Sequence, residues 1–209
     1  MAALIAAAQD PNYPAQIVLI VSNQPHAPGL TLARQHGVAC VALDHRPYGQ
    51  DRTAFERDLQ TILDEHAIEI VCLAGFMRLF TAPFVQHWQG RMLNIHPSLL
   101  PSFRGLDPHG QALRAGVKIT GATVHFVVTE TDAGPIVAQG AVPVLENDTT
   151  DTLEARVLAV EHRLYPLALR LVAQGCARLI GGRCVLAAAG GVVDALLVPS
   201  DHGPLSGGH

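Results

Sequence analysis

Along the chain, short continuous apolar runs alternate with stretches in which apolar positions recur every three or four residues. Residues 16–23 (QIVLIVSN), 38–43 (VACVAL) and 68–75 (IEIVCLAG) are runs of the first kind. Unbroken apolarity over so short a length marks a strand buried on both faces, as in a parallel sheet. Residues 2–9 and 27–37 predict helices, the second ended by Gly37. Between residues 53 and 66, Phe55, Leu59, Ile62 and Leu63 form a stripe at helical spacing, and a shorter helix is expected over 82–89. Strands alternating with helices predict an α/β fold with a doubly wound, mostly parallel, Rossmann-like sheet.

The pattern changes in the second half. Residues 109–116 predict a helix, while 120–128 and 135–144 read as strands joined by the turn TETDAG and spaced for an antiparallel pair. A long helix is expected over 152–175, with Leu153, Val157, Val160, Leu164, Leu167 and Leu171 on one stripe and Pro166 as a candidate kink. The segment ARLIGGRCVLAAAGGVV resembles a small hairpin about Gly181 and Gly182, and PSDHGPLSGGH a loose terminus. No internal repeat is present. The expected organisation is one domain over residues 1–190 followed by a tail, 191–209.

One stretch does not fit a plain structural element. In RMLNIHPSLLPSFRG, residues 91–105, an apolar strand runs into Asn94 and His96 and then breaks at Pro97 and Pro101. Side chains alternate along a strand, so Met92, Asn94 and His96 share one face. In open α/β sheets ligands bind beyond the carboxyl ends of the strands, which is where this pair sits. An amide can donate to an oxyanion and an imidazole can exchange protons near neutral pH, a combination suited to acyl or formyl transfer through a tetrahedral intermediate. On spacing alone, a strand end whose polar groups are satisfied by nearby backbone stands equally beside that reading.

Other polar positions carry the same two readings. Asp132, in TETDAGPIV, is either a turn aspartate bonded to its own backbone or a partner for His96. Glu161 flanks the apolar stripe of the long helix, as a salt-bridging carboxylate or as a contact to a substrate hydroxyl or amine. His125, on the Thr123 face of its strand, and His109, at the start of a helix, are satisfied histidines or site residues. The eleven histidines show no HExxH or comparable ligand spacing, so no metal site is expected.

Composition narrows the classes. With 49% hydrophobic and 15% charged residues, the 209-residue chain has the make-up of a compact folded protein. A net charge of -4 argues against a nucleic-acid footprint, which clusters Lys and Arg. Cys40, Cys72, Cys176 and Cys184 form no CxxC pair and suggest neither a disulfide framework nor zinc. The start lacks the basic region of a signal peptide, and no stretch has the length of a membrane span, so a soluble, cytoplasmic protein is expected.

Taken together, NIHPSLLPSFRG, Asp132 in its TDAGP turn, LAGFMRLF, GATVHFV and VEHRLYP closely resemble the phosphoribosylglycinamide formyltransferase family, from about Leu4 to Leu169. The resemblance implies transfer of a formyl group from 10-formyltetrahydrofolate to the amine of glycinamide ribonucleotide in purine synthesis, by direct amine attack without a metal. It implies that Asn94 polarises the formyl oxygen, that His96 is the acid/base group and that Asp132 supports the protonated imidazole, since a neighbouring carboxylate favours that cation. Arg52, Met77, Arg78, Leu79 and Phe80, together with Asn94, match folate contacts, and Glu161 a contact to the ribonucleotide. Small-molecule substrates are the implied partners, with a monomer or weak homodimer, and neither nucleic acid nor membrane.

Two relatives sharing the fold are less similar in pattern: methionyl-tRNA formyltransferase carries a further C-terminal domain, and formyltetrahydrofolate deformylase an N-terminal regulatory domain. The departure from the family lies at the start, where a first strand and a Gly- and Ser/Asn-containing phosphate loop are expected. Met1 falls where that loop would run into its helix, so an upstream start is expected. The alternative functions are deformylation and a catalytically impaired folate-binding protein.

Overall fold

The computed structural model describes residues 1–187. The expected tail and the end of the hairpin segment lie outside these residues. A short helix, α1 (Ala2–Ala7), precedes two parallel strands, β1 (Leu19–Ser22) and β2 (Ala39–Ala42), joined by α2 (Pro28–Gln35). α2 starts with Pro28 in its first turn, where the missing N–H costs nothing, and ends before Gly37 at φ +69°. α3 (Arg52–Glu65) is capped by the Asp51 carboxylate, which accepts from Ala54 N, and buries Phe55, Leu59 and Leu63 as its stripe predicts.

β3 (Val71–Leu73) leads through α4 (Ala82–His87) to β4 (Met92–His96), parallel to β3. After α5 (Pro108–Ala115), β5 (Ile119–Phe126) pairs antiparallel with β4 and with β6 (Ile136–Pro143). The sheet order is therefore β3-β4-β5-β6, with β1 and β2 pairing separately and β7 (Ala177–Ile180) and β8 (Arg183–Leu186) forming the terminal hairpin. The β5–β6 pairing matches expectation; the antiparallel β4–β5 step does not follow from strand-helix alternation and is a finding of the structure.

α6 (Thr150–Ala173) crosses β5 and β6 and runs unbroken through Pro166. Its buried face contains Leu153, Val157, Leu164, Tyr165, Ala168 and Leu169, so it is rotated from the expected stripe and leaves Leu167 48% exposed. The buried Tyr165 hydroxyl lies 2.8 and 3.1 Å from the carbonyls of Leu73 and Leu93, to which it donates, linking the end of β3 to the second residue of β4. No helix among the described residues is long and apolar enough to cross a membrane.

Between β1 and β3 lies a groove of about 1470 Å³, walled by both strands. Phe55, Leu59 and Leu63 of α3 line it, as do Leu4, Leu169 and Val172. No strand among the described residues joins β1 to β3. Each strand is thus hydrogen-bonded along one edge only, and both are shorter than their apolar runs: 19–22 within 16–23, and 71–73 within 68–75.

Candidate active site

β4 ends at His96, and the turn after it is tied down from β5 and β6. Thr123, fully buried, donates from Oγ1 to the Ser98 carbonyl at 2.7 Å and accepts from Leu100 N at 3.0 Å. Gln139 Nε2 donates to the Leu100 carbonyl at 3.0 Å, and Ser98 Oγ to the Ser102 carbonyl at 2.5 Å. Pro97 and Pro101 thus sit in a braced loop that folds back over the strand end. This loop brings the Phe103 carbonyl to His96 Nε2 at 2.9 Å.

The other edge of the imidazole faces the β5–β6 turn. Asp132 has φ +50°, a left-handed conformation that Asp tolerates better than most residues. Its Oδ2 lies 3.3 Å from His96 Nδ1 and accepts from Gly105 N at 3.0 Å. Gly134, two residues on, packs so closely that a Cβ there would stand 1.7 Å from the Phe126 carbonyl oxygen, which fixes the turn against β5. Both His96 nitrogens therefore face oxygen acceptors, an arrangement that suits two N–H donors.

The antiparallel register sets Asn94 opposite His125 and His96 opposite Thr123, so all four side chains share one face. His125 Nδ1 donates to the Phe126 carbonyl at 2.9 Å, leaving Nε2 as the acceptor of a neutral ring. Asn94 Nδ2 donates to that Nε2 at 3.3 Å, and Asp132 Oδ1 stands 3.8 Å from it. Burial, the largest influence, lowers the His125 pKa below the ordinary histidine value, in keeping with the neutral form. His125 thereby settles which end of the Asn94 amide is the donor and leaves its second N–H unassigned. Sequence reading left His125 open between two roles; its signal was the two-residue spacing from Thr123, which acquires meaning only with the β4 register.

His96 and Asp132 are in contact, with side chains only 7% and 9% exposed, and Asn94 is linked to Asp132 through His125. Four of the folate-matching residues, Met77 to Phe80, lie on the loop leaving β3, whose last residue, Leu73, is in register with Asn94 of β4. On that loop Met77 and Leu79 are 76% and 60% exposed, Phe80 stacks between Phe76 and Phe84, and Arg78 lies over the Phe55 ring. Arg52 reaches the same loop, donating from Nη1 to the Leu79 carbonyl at 3.4 Å. Glu161 has no hydrogen bond or ion pair to Asn94, His96 or Asp132 among the described residues; it is half-buried on α6, its pKa raised chiefly by burial, an effect that the Met1 amine opposes. His109 is buried with Nδ1 lacking a hydrogen-bond partner.

The profile of the formyl transferase family matches residues 1–169. The trifunctional purine biosynthetic protein adenosine-3 of Gallus gallus is 49% identical over 177 residues, which are 85% of this chain and 18% of that protein. The chain thus spans less than a fifth of that relative's length. Phosphoribosylglycinamide formyltransferase of Escherichia coli (strain K12) is 45% identical over 156 residues, 75% of this chain and 73% of the relative. Among solved structures, glycinamide ribonucleotide transformylase 1 from Symbiobacterium toebii superposes with a TM-score of 0.84 at 43% identity, covering 88% of this chain and 86% of that one. A formyltetrahydrofolate deformylase from Pseudomonas syringae pv. tomato superposes with a TM-score of 0.81 but at 26% identity, covering 88% of this chain and 61% of its own.

Proposed function

The chain belongs to the formyl transferase family, and from that premise we propose that it transfers a formyl group from 10-formyltetrahydrofolate to the amine of glycinamide ribonucleotide. The observation that carries the reading is the Asp132 carboxylate 3.3 Å from His96 Nδ1, at a strand end where Asn94 lies on the same face. A donor with a flat, partly apolar ring fits the surroundings, because the loop beside Asn94 offers Met77 and Leu79 exposed on a stacked aromatic base. Such a donor supplies an activated one-carbon unit.

The residues take the following parts. Asn94, with one amide N–H held by His125, points its second N–H at the formyl oxygen, where negative charge builds. Asp132 occupies the Nδ1 edge of His96, so Nε2, now resting on the Phe103 carbonyl, is the edge that exchanges a proton with the reactants. Arg52, Met77, Arg78, Leu79 and Phe80 form the donor's seat, and Glu161 receives the ribonucleotide. Residues 1–190 act as one catalytic domain in this reading.

The test is a formyl-transfer assay with both substrates, following formylated ribonucleotide. Wild-type protein forms it, and His96→Ala slows it by roughly 10²–10⁴, the usual worth of general acid-base catalysis. Omitting the ribonucleotide separates the deformylase reading: formate released equally fast without it would overturn transfer in favour of hydrolysis. Donor binding with no turnover in the wild type would support a binding protein instead.

A further inference from the structure

Glu56 is a buried carboxylate, 5% exposed, that takes part in no ion pair among the described residues. Buried carboxylates are rare without a partner that stabilises them. Here both oxygens serve one residue: Thr81 N donates to Oε1 at 2.6 Å, and Thr81 Oγ1 donates to Oε2. Thr81 is the residue before α4, where a hydroxyl ordinarily caps its own helix. It makes no such cap, because it turns back to α3. The bond therefore serves the chain entering Thr81 rather than the helix leaving it.

That chain is the loop 74–80. One face of α3 holds it at three points: Arg52 Nη1 on the Leu79 carbonyl at 3.4 Å, the Phe55 ring 5.5 Å from the Arg78 guanidinium, and Glu56 on Thr81. Positions 52, 55 and 56 are neighbours on a helix surface. From the other side, Phe76, Phe80 and Phe84 stack at centroid distances of 4.9 and 4.6 Å. The result is a loop pinned at its end and along its length while Met77 and Leu79 face outward. Exposed apolar side chains on a pinned loop are set for a ligand, since holding them in water gains no burial.

We propose that Glu56 is a positioning residue for the formyl-donor subsite, holding the 74–80 loop in its binding conformation through Thr81. This rests on the formyl-transfer reading above. Glu56 touches neither substrate nor the reacting atoms; its effect is on how well the donor's seat is formed before the donor arrives. Its loss is felt in donor binding, whereas the Asn94, His96 and Asp132 cluster on β4 and the β5–β6 turn is left in place.

The experiment compares Glu56→Ala, Thr81→Val and Thr81→Ser by steady-state kinetics and by amide hydrogen exchange. Glu56→Ala raises KM for 10-formyltetrahydrofolate about ten- to a hundredfold, the worth of hydrogen bonds to a buried charge. The maximal rate and KM for glycinamide ribonucleotide stay within about threefold, which separates positioning from chemistry. Thr81→Val moves the same constant in the same direction by less, and Thr81→Ser, which keeps both bonds, restores it. Amides of residues 76–81 exchange faster in Glu56→Ala while those of α6 do not change.

An unchanged donor KM in the variants, or a rise in both KM values together with a fall in rate and melting temperature, overturns the proposal. If Glu56→Ala does not fold, the Thr81 pair decides by the same constants. If the wild type transfers no formyl group, the function proposed above fails by itself. Loop exchange in Thr81→Val then decides about the clamp, with unchanged exchange refuting it.

Discussion

Replacing Asp132 by Asn keeps the side chain's shape and removes its charge. In the native site Oδ2 serves both Gly105 N, at 3.0 Å, and His96 Nδ1, at 3.3 Å, while Oδ1 stands 3.8 Å from His125 Nε2. The amide of the variant keeps its oxygen on the first two, so its NH2 turns toward His125 Nε2. There it competes with Asn94 Nδ2, which uses that lone pair at 3.3 Å to hold its donor end in place. Two losses follow: a charged acceptor beside His96 becomes a neutral one, and Asn94 loses part of its orientation.

A hydrogen bond to a charged group is worth about 1.5–3 kcal/mol and a neutral one about 0.5–1.5 kcal/mol, so the first loss is roughly 1–1.5 kcal/mol. With a contribution of similar size from Asn94 the total is about 2–3 kcal/mol, so kcat falls about 25- to 150-fold, at about 1.4 kcal/mol per factor of ten. The assay is formylated ribonucleotide formed under saturating substrates, with urea unfolding run alongside to show that the fold is kept. Once His96 is already Ala, Asp132→Asn should cost only the Asn94 part, about tenfold, because the imidazole it supports is gone. A rate within about twofold of wild type, or full additivity with His96→Ala, would refute the coupling.

Burial lowers the pKa of His125, which faces Asp132 and His96, and of His109, which faces Glu154, Asp107 and His96. On acidification below about 6.5 the unfolded chain takes up protons that these native side chains refuse. Stability is therefore fully present above that pH and declines below it until the native rings titrate; a urea midpoint that rises between about pH 7 and about pH 5.5 would contradict this. The groove between β1 and β3 leads to another outcome. An extended apolar segment fused ahead of Met1 should enter parallel to both strands and bury side chains alternately against Phe55, Leu59 and Leu63 and against Leu4, Leu169 and Val172. Slower amide exchange at residues 17–22 and 70–73 and a higher melting temperature are expected, and exchange unaltered by the fusion would sink the idea.

Legibility in the sequence divides along the range of the interactions. Helix starts and ends were readable because their causes are local: Gly37 stops α2 with a positive φ, and Phe55, Leu59 and Leu63 bury together because they lie on one helical stripe. The strand end at Asn94 and His96 was readable for the same reason. Extents of β1 and β3 were not, because a ladder's length depends on its neighbours as well as its own residues, and each has one open edge. Leu167 was assigned to the buried stripe of α6, yet the helix turns Tyr165 and Ala168 inward instead, since the Tyr165 hydroxyl finds the carbonyls of Leu73 and Leu93 there.

The site itself shows where local reading stops. Asp132 was legible as a turn residue, and family resemblance supplied its pairing with His96, but the physical cause of that pairing is the antiparallel register of β4 with β5. That register sets His125 opposite Asn94, and the turn after β5 then brings Asp132 back over both histidines. His125 carried only its spacing from Thr123, because its neutral tautomer follows from a carbonyl one residue away and its contact with Asn94 from a strand thirty-one residues back. Glu56 was silent for a related reason: between Phe55 and Leu59 it reads as the solvated flank of an amphipathic helix, and only the return of the chain at Thr81, twenty-five residues later, converts it into a buried acceptor. The residues proposed for chemistry interrupt a local pattern at Asn94 and His96, whereas His125 and Glu56, which contact their surroundings across long sequence separations, conform to one and become visible only when strand register and loop return are known.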